Sequence, residues 1–318
     1  MSASCKVNLV GGRGYTGSEL LRLIAGHPDM GLGIASSRSH AGQSICSTCD
    51  GWPDDGRSFT QLEPDGISAF PADAWVLALP NGLADKWVEH IRAGFPDSVI
   101  LDLSADYRFD PKWTYGLPER FRDQIQTAQL IANPGCYATG SQLGLLPLKD
   151  QLVSAPVIFG VSGYSGAGKT PSPRNDPDVL RDNLIPYALS GHMHEKEISH
   201  QLDIAVRFMP HVAAFFRGIS LTIAFELDHA VSVDELERLF RQAYAGEARV
   251  RVDKEIPQVS AVQETPDVHI GGFTVDERNP ARASLVVVLD NLLKGAASQA
   301  LQNLNLALGL DEYSGINS

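Results

Sequence analysis

Residues 7–25 leave this chain few architectures to choose from. Val7-Asn8-Leu9-Val10 is a short apolar strand, Gly11-Gly12-Arg13-Gly14-Tyr15-Thr16-Gly17 is a glycine-rich turn, and Ser18 to Ala25 is an amphipathic helix. Glycines at 11, 14 and 17 let the backbone turn sharply, come close to a pyrophosphate and aim helix N-terminal amides at it. A glycine pattern alone is weak, because many tight strand-to-helix turns need glycine for structural reasons. The flanking strand and helix select the nucleotide reading. Gly11, Gly14, Tyr15, Thr16 and Gly17 are the candidate cofactor contacts of this turn.

The next strand, Met30 to Ala35, ends in Ser36-Ser37-Arg38. A site built for NAD carries Asp or Glu about 20 residues after the glycines, to bind the ribose hydroxyls. Two hydroxyls and a guanidinium suit a 2′-phosphate instead, since Arg makes charge-assisted, often bidentate bonds to it. A solvated turn is the bland alternative; the position, where the ribose is expected, selects NADP and makes Ser36, Ser37 and Arg38 its candidate contacts. Further apolar runs at 74–79, 98–103 and 130–132 lead into the polar loops Pro80-Asn81-Gly82, Ser104 to Phe109 and Asn133-Pro134-Gly135-Cys136. Apolar strands with polar residues at their C-terminal ends predict a parallel, doubly wound sheet, and ligands of such sheets bind beyond those ends.

Composition narrows the partners. The 318 residues carry 26 basic and 38 acidic side chains, a net charge of −12, with no basic tract. Such a chain is a poor ligand for phosphate backbones, so no nucleic acid partner is expected. No apolar run approaches the roughly 20 residues that span a bilayer, so no membrane partner is expected. The N-terminus runs straight into the first strand without a signal-peptide core, which predicts a cytoplasmic protein. The length predicts two domains.

There are four cysteines. Cys46-Ser47-Thr48-Cys49 has CxxC spacing, but no second pair completes a four-ligand site, so a loop coincidence is read and no metal is assigned. Cys5, before the first strand, reads as a small buried hydrophobe. Cys136 differs: Pro134 and Gly135 force a turn, and Tyr137 to Leu146 reads as a helix, which puts the thiol near a helix N-terminus. The dipole and free amides there favour the thiolate. A buried cysteine capping a packed turn is the competing reading, and the nucleotide fold tilts the choice towards covalent catalysis. His192 and His194, in Tyr187 to Glu195, are available partners; as an HxH pair they lack a third metal ligand. His200 and His211 read as surface or structural histidines.

The second half is richer in strands: 157–163, 219–225, 268–275 and 283–289, with a helix over 233–244. This predicts a mixed, largely antiparallel sheet on helices. Lys169-Thr170 looks faintly like a P-loop, but the upstream glycine sits at the wrong spacing. Thr170 to Pro177 is proline-rich and reads as an exposed loop. The closing segment 294–304 reads as a helix whose small residues suit docking back on the nucleotide domain.

Taken together, GGRGYTGSELLRLIAGHP, LPNG, DLSADYRF, YGLPE, NPGCYATG, GVSGYSGAGK, GHMHEKEI and DNLLKGAASQALQNLNLALGL resemble the N-acetyl-gamma-glutamyl-phosphate reductase family over essentially the whole chain. NPGCY with DLSADYRF is far more specific than any glycine pattern. Aspartate-semialdehyde dehydrogenases are related, with the same architecture and cysteine chemistry. The resemblance implies an α/β chain. A Rossmann-type nucleotide domain (1–136 plus 292–318) joins an α+β mixed-sheet catalytic and dimerisation domain (137–291). It implies an NADPH-dependent enzyme acting on a small acyl phosphate, as a homodimer or homotetramer. Cys136 would attack the acyl carbon to give a thioester that hydride reduces to an aldehyde. His192 matches the family's acid/base histidine most closely, with His194 second and Tyr187 as an assisting aromatic. Ser162 and Gly163 fall near the nicotinamide, and Asn291 heads the segment that approaches the cofactor. Arg108 is a candidate anion contact, or a brace through Asp106 or Asp102; Ser104 and Asn133 join it as candidate substrate contacts.

Two departures stand out. His-Met-His replaces the His-Arg-His of many relatives, and residues 171–177 form a proline-rich insert. Both are compatible with an N-succinyl or carrier-linked acyl phosphate. A cysteine-dependent acyltransferase would leave the glycine turn unused, and a non-catalytic nucleotide-binding module would leave Cys136 idle. An acidic chain with anionic ligands must gather positive potential locally; Arg38, Arg108, helix N-termini, Lys169 and Arg217 are the candidates.

Overall fold

The computed structural model describes residues 4–316. The chain divides into two compact units. One runs to Gly135 and resumes at Ala296; the other spans Cys136–Gly295.

In the first unit β1 (Cys5–Val10), α1 (Tyr15–Ala25), β2 (Met30–Ser36), β3 (Ala74–Leu77), α2 (Asp85–Gly94), β4 (Val99–Asp102), β5 (Thr114–Tyr115), α3 (Pro118–Ile125) and β6 (Leu130–Ala132) follow in order. Every strand pair is parallel, in the spatial order β2-β1-β3-β4-β6-β5. All C-terminal strand ends therefore share one edge of the sheet. The central strands β3 and β4 are buried at every position, which is why their sequences are unbroken apolar runs rather than alternating ones. Cys5 belongs to β1 and is half-buried, not part of the core as its apolar neighbourhood suggests.

The second unit begins with α4 (Cys136–Leu145) and β7 (Val157–Gly163). A short turn α5 (Pro177–Leu180), β8 (Leu184–Pro186), α6 (Met193–Leu202) and β9 (Arg207–Ala213) follow. Then come β10 (Ile219–Glu226), α7 (Val233–Ala243), β11 (Val250–Val252), β12 (Val268–Asp276) and β13 (Asn279–Leu289). The sheet order is β11-β12-β13-β10-β7-β9-β8; β11/β12 and β7/β9 are parallel, the other pairs antiparallel. β10 shows how the sheet is patterned: Ile219, Leu221, Ile223 and Phe225 are buried, while Ser220, Thr222 and Ala224 face the other way. Gly140 and Gly144 let α4 lie directly on this buried face. A Cβ at Gly140 would come within 2.7 Å of Leu221 and Leu289.

The last helix, α8 (Ala297–Ala307), belongs to the first unit, where it packs on α1 and α3. It starts at 297 rather than at 294 because residues 290–295 form a closed turn, with the Gly295 N–H bonded to the Asp290 carbonyl (2.9 Å). No described helix is long and apolar enough to cross a membrane.

Candidate active site

The glycine turn of the first unit is held from below. The Gly11 and Gly12 N–H groups both bond to the Ser36 carbonyl (3.1 and 2.9 Å), and Gly11 has φ +92° beneath the Ala78 carbonyl. A side chain at Gly17 would meet Gly11 O and Gly12 Cα at 2.9 Å. Gly14 is different. It is the N-cap of α1, and nothing lies within 4 Å of where its Cβ would stand. The chain's own packing does not require glycine there, and the bare helix N-terminus with Tyr15 and Thr16 in its first turn has room for an anion. At the end of β2, Ser36 and Ser37 are buried, while Arg38 is exposed and bidentate to Glu63 (3.0 and 2.7 Å). That pairing raises the pKa of an already permanent cation.

Three strand-end loops of the same unit are tied together by the residues singled out above. Ser104 Oγ donates to Asp102 Oδ2 (2.6 Å) and accepts the Asp106 N–H (3.1 Å). The Asp106 carboxylate in turn accepts the Gly82 N–H (2.7 and 2.9 Å). Arg108 is buried and donates to the Asn133 and Leu103 carbonyls (2.9 and 3.0 Å), and its charge favours the ionised form of Asp102. Asn133 Oδ1 accepts from Asn303 (3.0 Å). Burial pushes the Asp102 carboxyl up to about 6, against the bond from Ser104; its Oδ1 has no hydrogen-bond partner.

In the second unit Cys136 is the first residue of α4, a half-buried thiol outside any disulfide, at the positive end of the helix. The 290–295 turn abuts it: a Cβ at Gly295 would be 2.7 Å from both Cys136 Cβ and the Asn291 carbonyl oxygen. Asn291 accepts the Gly218 N–H (2.7 Å) and donates to Ser165 (2.9 Å), while the Gly163 N–H bonds to the Gly218 carbonyl (2.9 Å). Ser162, Gly163 and Asn291 are thereby gathered at one place. Arg217 is committed to buried Asp290 (2.6 and 3.2 Å), so its charge is neutralised where it stands.

The aromatic and histidine groups hang on β9. Tyr137 OH donates to the His211 carbonyl (2.8 Å), and the Tyr187 N–H bonds to the Pro210 carbonyl (3.2 Å). Glu195 accepts the Phe208 and Gly191 N–H groups (2.9 Å each). His192 is the N-cap of α6, its Nδ1 accepting the His194 N–H (3.1 Å). An imidazole that accepts at Nδ1 carries its proton on Nε2 when neutral. The His192 ring lies 5.5 Å from Tyr187, 6.5 Å from Tyr137 and 4.9 Å from His194. Burial lowers the His192 pKa, with the Glu195 charge opposing and Arg174 adding to the fall. Burial and then the charge of Cys136 push the Tyr187 phenol up to about 12. The thiol, two phenols and His192 thus form one cluster, with His194 edge-on to Tyr137 at 5.8 Å.

Tyr137, Glu195, Gly295 and Arg174 escaped the sequence reading. Glu195 sits three residues after the helix cap, the capping-box position, but a histidine cap hides that signal. Arg174, from the proline-rich loop, holds its guanidinium carbon 4.8 Å from the Tyr187 ring centre. Cys46 and Cys49 form no disulfide, and no metal-sized group of His, Cys, Asp or Glu occurs among the described residues.

The semialdehyde dehydrogenase NAD-binding domain matches residues 6–128, and the semialdehyde dehydrogenase dimerisation domain matches residues 136–291. The N-acetyl-gamma-glutamyl-phosphate reductase of Xanthomonas campestris pv. campestris (strain B100) is 50% identical over 310 residues, covering 98% of both chains. The enzyme of that name from Stenotrophomonas maltophilia (strain R551-3) is also 50% identical, over 98% of this chain and 97% of its own. Among solved structures, aspartate semialdehyde dehydrogenase II of Vibrio cholerae superposes with a TM-score of 0.74 at 18% identity, covering 96% of this chain and 98% of that one. The Candida albicans aspartate semialdehyde dehydrogenase with NADP gives 0.73 at 16%, with the same coverage. At those identities the structures speak for the fold, and the sequences settle the kinship: the chain belongs to the N-acetyl-gamma-glutamyl-phosphate reductase family of the semialdehyde dehydrogenases.

Proposed function

We propose that the chain reduces N-acetyl-gamma-glutamyl phosphate with NADPH to N-acetylglutamate 5-semialdehyde, a step of arginine biosynthesis, through a thioester on Cys136. The observation that carries this reading is the thiol at the first position of α4, outside any disulfide and clustered with Tyr187 and His192. The Cys136 thiolate attacks the acyl carbon, the carbon–oxygen bond to phosphorus breaks, and phosphate leaves with the electron pair. Bound NADPH supplies the hydride for the reduction. The oxyanion formed at the reacting carbon needs a donor, and neutral His192 offers Nε2–H. Collapse of the hemithioacetal oxyanion breaks the carbon–sulfur bond, releases the aldehyde and restores the thiolate. Tyr187, neutral at physiological pH, is a second donor.

The bare Gly14 position and the α1 N-terminus suit the pyrophosphate, with Gly11 and Gly17 keeping the turn tight. Ser36, Ser37 and Arg38 suit the 2′-phosphate, and Ser162, Gly163 and Asn291 the nicotinamide. Ser104, Arg108 and Asn133 support catalysis as braces of the strand-end loops. Arg38→Ala is expected to raise KM for NADPH about tenfold and to leave KM for NADH unchanged, as steady-state rates with both cofactors would reveal. The whole reading is tested by phosphate-dependent reduction of NADP across N-acetyl, N-succinyl and carrier-linked semialdehydes. The N-acetyl compound should give the highest kcat/KM, and turnover confined to either of the others overturns the assignment. Four cysteines outside any disulfide fit a reducing, cytoplasmic setting.

The enzyme is further read as a homodimer joined by the open face of the second sheet. Met209, Phe159, Thr222 and Val286 lie in one cross-strand row on that face, without a charge among them. Phe159 is 38% exposed, with the His211 ring 4.4 Å from it. A second copy is the occupant that fits a dimerisation domain. Phe159→Asp should shift the protein from dimer to monomer in sedimentation velocity; a dimer that survives the charge places the interface elsewhere.

A further inference from the structure

We propose that Arg174 is the specificity residue for the carboxylate of the substrate, at the end of the molecule remote from the reacting carbon; this rests on the reductase reading above. The loop that carries it is built, although its sequence reads as a mere exposed insert. Asn175 donates to the Gly168 and Thr170 carbonyls (2.6 and 2.7 Å) and accepts the Ser172 N–H (2.7 Å). Ser172 and Asn175 cap the 173–175 turn reciprocally, and Asp176 caps the turn that follows. The loop so anchored presents one exposed arginine, and its guanidinium is parked over the Tyr187 ring, 4.8 Å from its centre.

The charge of Arg174 is not neutralised among the described residues. No carboxylate among the described residues pairs with it: Asp178 is taken by Arg181, and Asp176 is occupied as a cap. Tyr187 beneath it is a neutral phenol, so the contact is a cation–π one and leaves the donors of the guanidinium edge available. Its field reaches the cluster, since it disfavours protonation of His192. The stretch from Tyr187 to Glu195 contributes no cation of its own; an apolar, partly exposed Met193 stands between the two histidines. A substrate with two anionic groups approaching Cys136 therefore meets the Arg174 guanidinium on this side.

Two anions of the substrate compete for it. The phosphate is bonded to the very carbon that sulfur attacks, and it departs. The carboxylate lies four bonds further along, roughly 5 Å in an extended chain. Arg174 is separated from the thiol by Tyr187, the ring whose phenol feels the Cys136 charge. A fixed cation one ring beyond the thiol matches the distant, permanent anion, and a planar guanidinium matches a carboxylate bidentately.

In the oxidative direction the two anions are separate substrates, which makes the assignment testable. Wild type, Arg174→Lys and Arg174→Met would be assayed with N-acetylglutamate semialdehyde, its neutral carboxamide analogue, and varied inorganic phosphate. Arg174→Met should raise KM for the semialdehyde about 30-fold, with KM for phosphate and kcat within about threefold, and Arg174→Lys should fall between. The preference of wild type for carboxylate over carboxamide should vanish in Arg174→Met, which a merely structural role would not achieve. A rise in KM for phosphate instead, or an undiminished preference for carboxylate, overturns the proposal. A wild type that turns over no semialdehyde overturns the reductase reading itself.

Discussion

Cys136→Ser should lose phosphate-dependent NADP reduction by about 10⁴-fold or more while binding NADPH within about twofold of wild type. The size of the loss follows from what a helix N-terminus can do. Its field is worth roughly 0.3–1 kcal/mol on a nearby charge, about 2 at most, against 1.36 kcal/mol per pKa unit. An ordinary thiol ionises near 8.5, within reach of neutral pH, and a helix N-terminus favours its thiolate form. The same field leaves a serine hydroxyl un-ionised, so the substituted group keeps the shape and loses the nucleophile. Cofactor affinity is spared because the groups assigned to the cofactor, Gly11 to Gly17, Ser36 to Arg38, Ser162, Gly163 and Asn291, are untouched by the substitution. Fluorescence titration with NADPH and a turnover assay on one preparation separate the two effects. Turnover that survives the substitution sinks the covalent route, and Cys136-dependent acyl transfer without NADPH would favour an acyltransferase.

The fold was legible wherever apolar periodicity was clean. The parallel sheet announces itself in runs such as Ala74 to Leu77, buried on both faces, and the antiparallel one in the alternation of Ile219 to Glu226. The reading missed β9, because Pro210 in a strand argues for an edge or a break, and here it lies in a strand paired on both sides. It also missed α6, whose first position is prepared by a histidine cap rather than by Ser, Thr, Asp or Asn. Those two elements organise the cluster around Cys136. The cysteine itself was visible, since Pro-Gly before an apolar helix is a local signal. Its neighbours are brought in by β9 and by the 290–295 turn, contacts of long sequence separation that no local pattern records. Arg108 was visible as a charge, but its commitment to two backbone carbonyls was not.

The histidine cap also decides what pH should do. His192→Ala is expected to lower kcat by about 10²–10³-fold with KM for the semialdehyde changed only a few-fold, the loss that follows removal of one oxyanion donor. In wild type the competent form is neutral, with Nδ1 accepting the His194 N–H and Nε2–H free to donate. Protonation places a hydrogen on Nδ1, turns that acceptor into a donor and breaks the cap. Because burial lowers the pKa below 6.5, kcat should be flat above that value and fall only on the acid side, as pH drops through the native pKa. Stability has the same sign. Between 6.5 and the lower native value the unfolded chain binds the proton first, so stability declines as pH falls through that window and rises as pH is restored. His192→Gln keeps an amide donor near the place of Nε2 but cannot titrate. It should retain part of kcat and lose the acid limb, in both the rate profile and the thermal melting profile. If His194→Ala removes that limb and His192→Gln leaves it intact, the two histidines exchange roles. The cap would then be a structural device that holds His194 in place, and the donor would be sought on the ring nearer Tyr137.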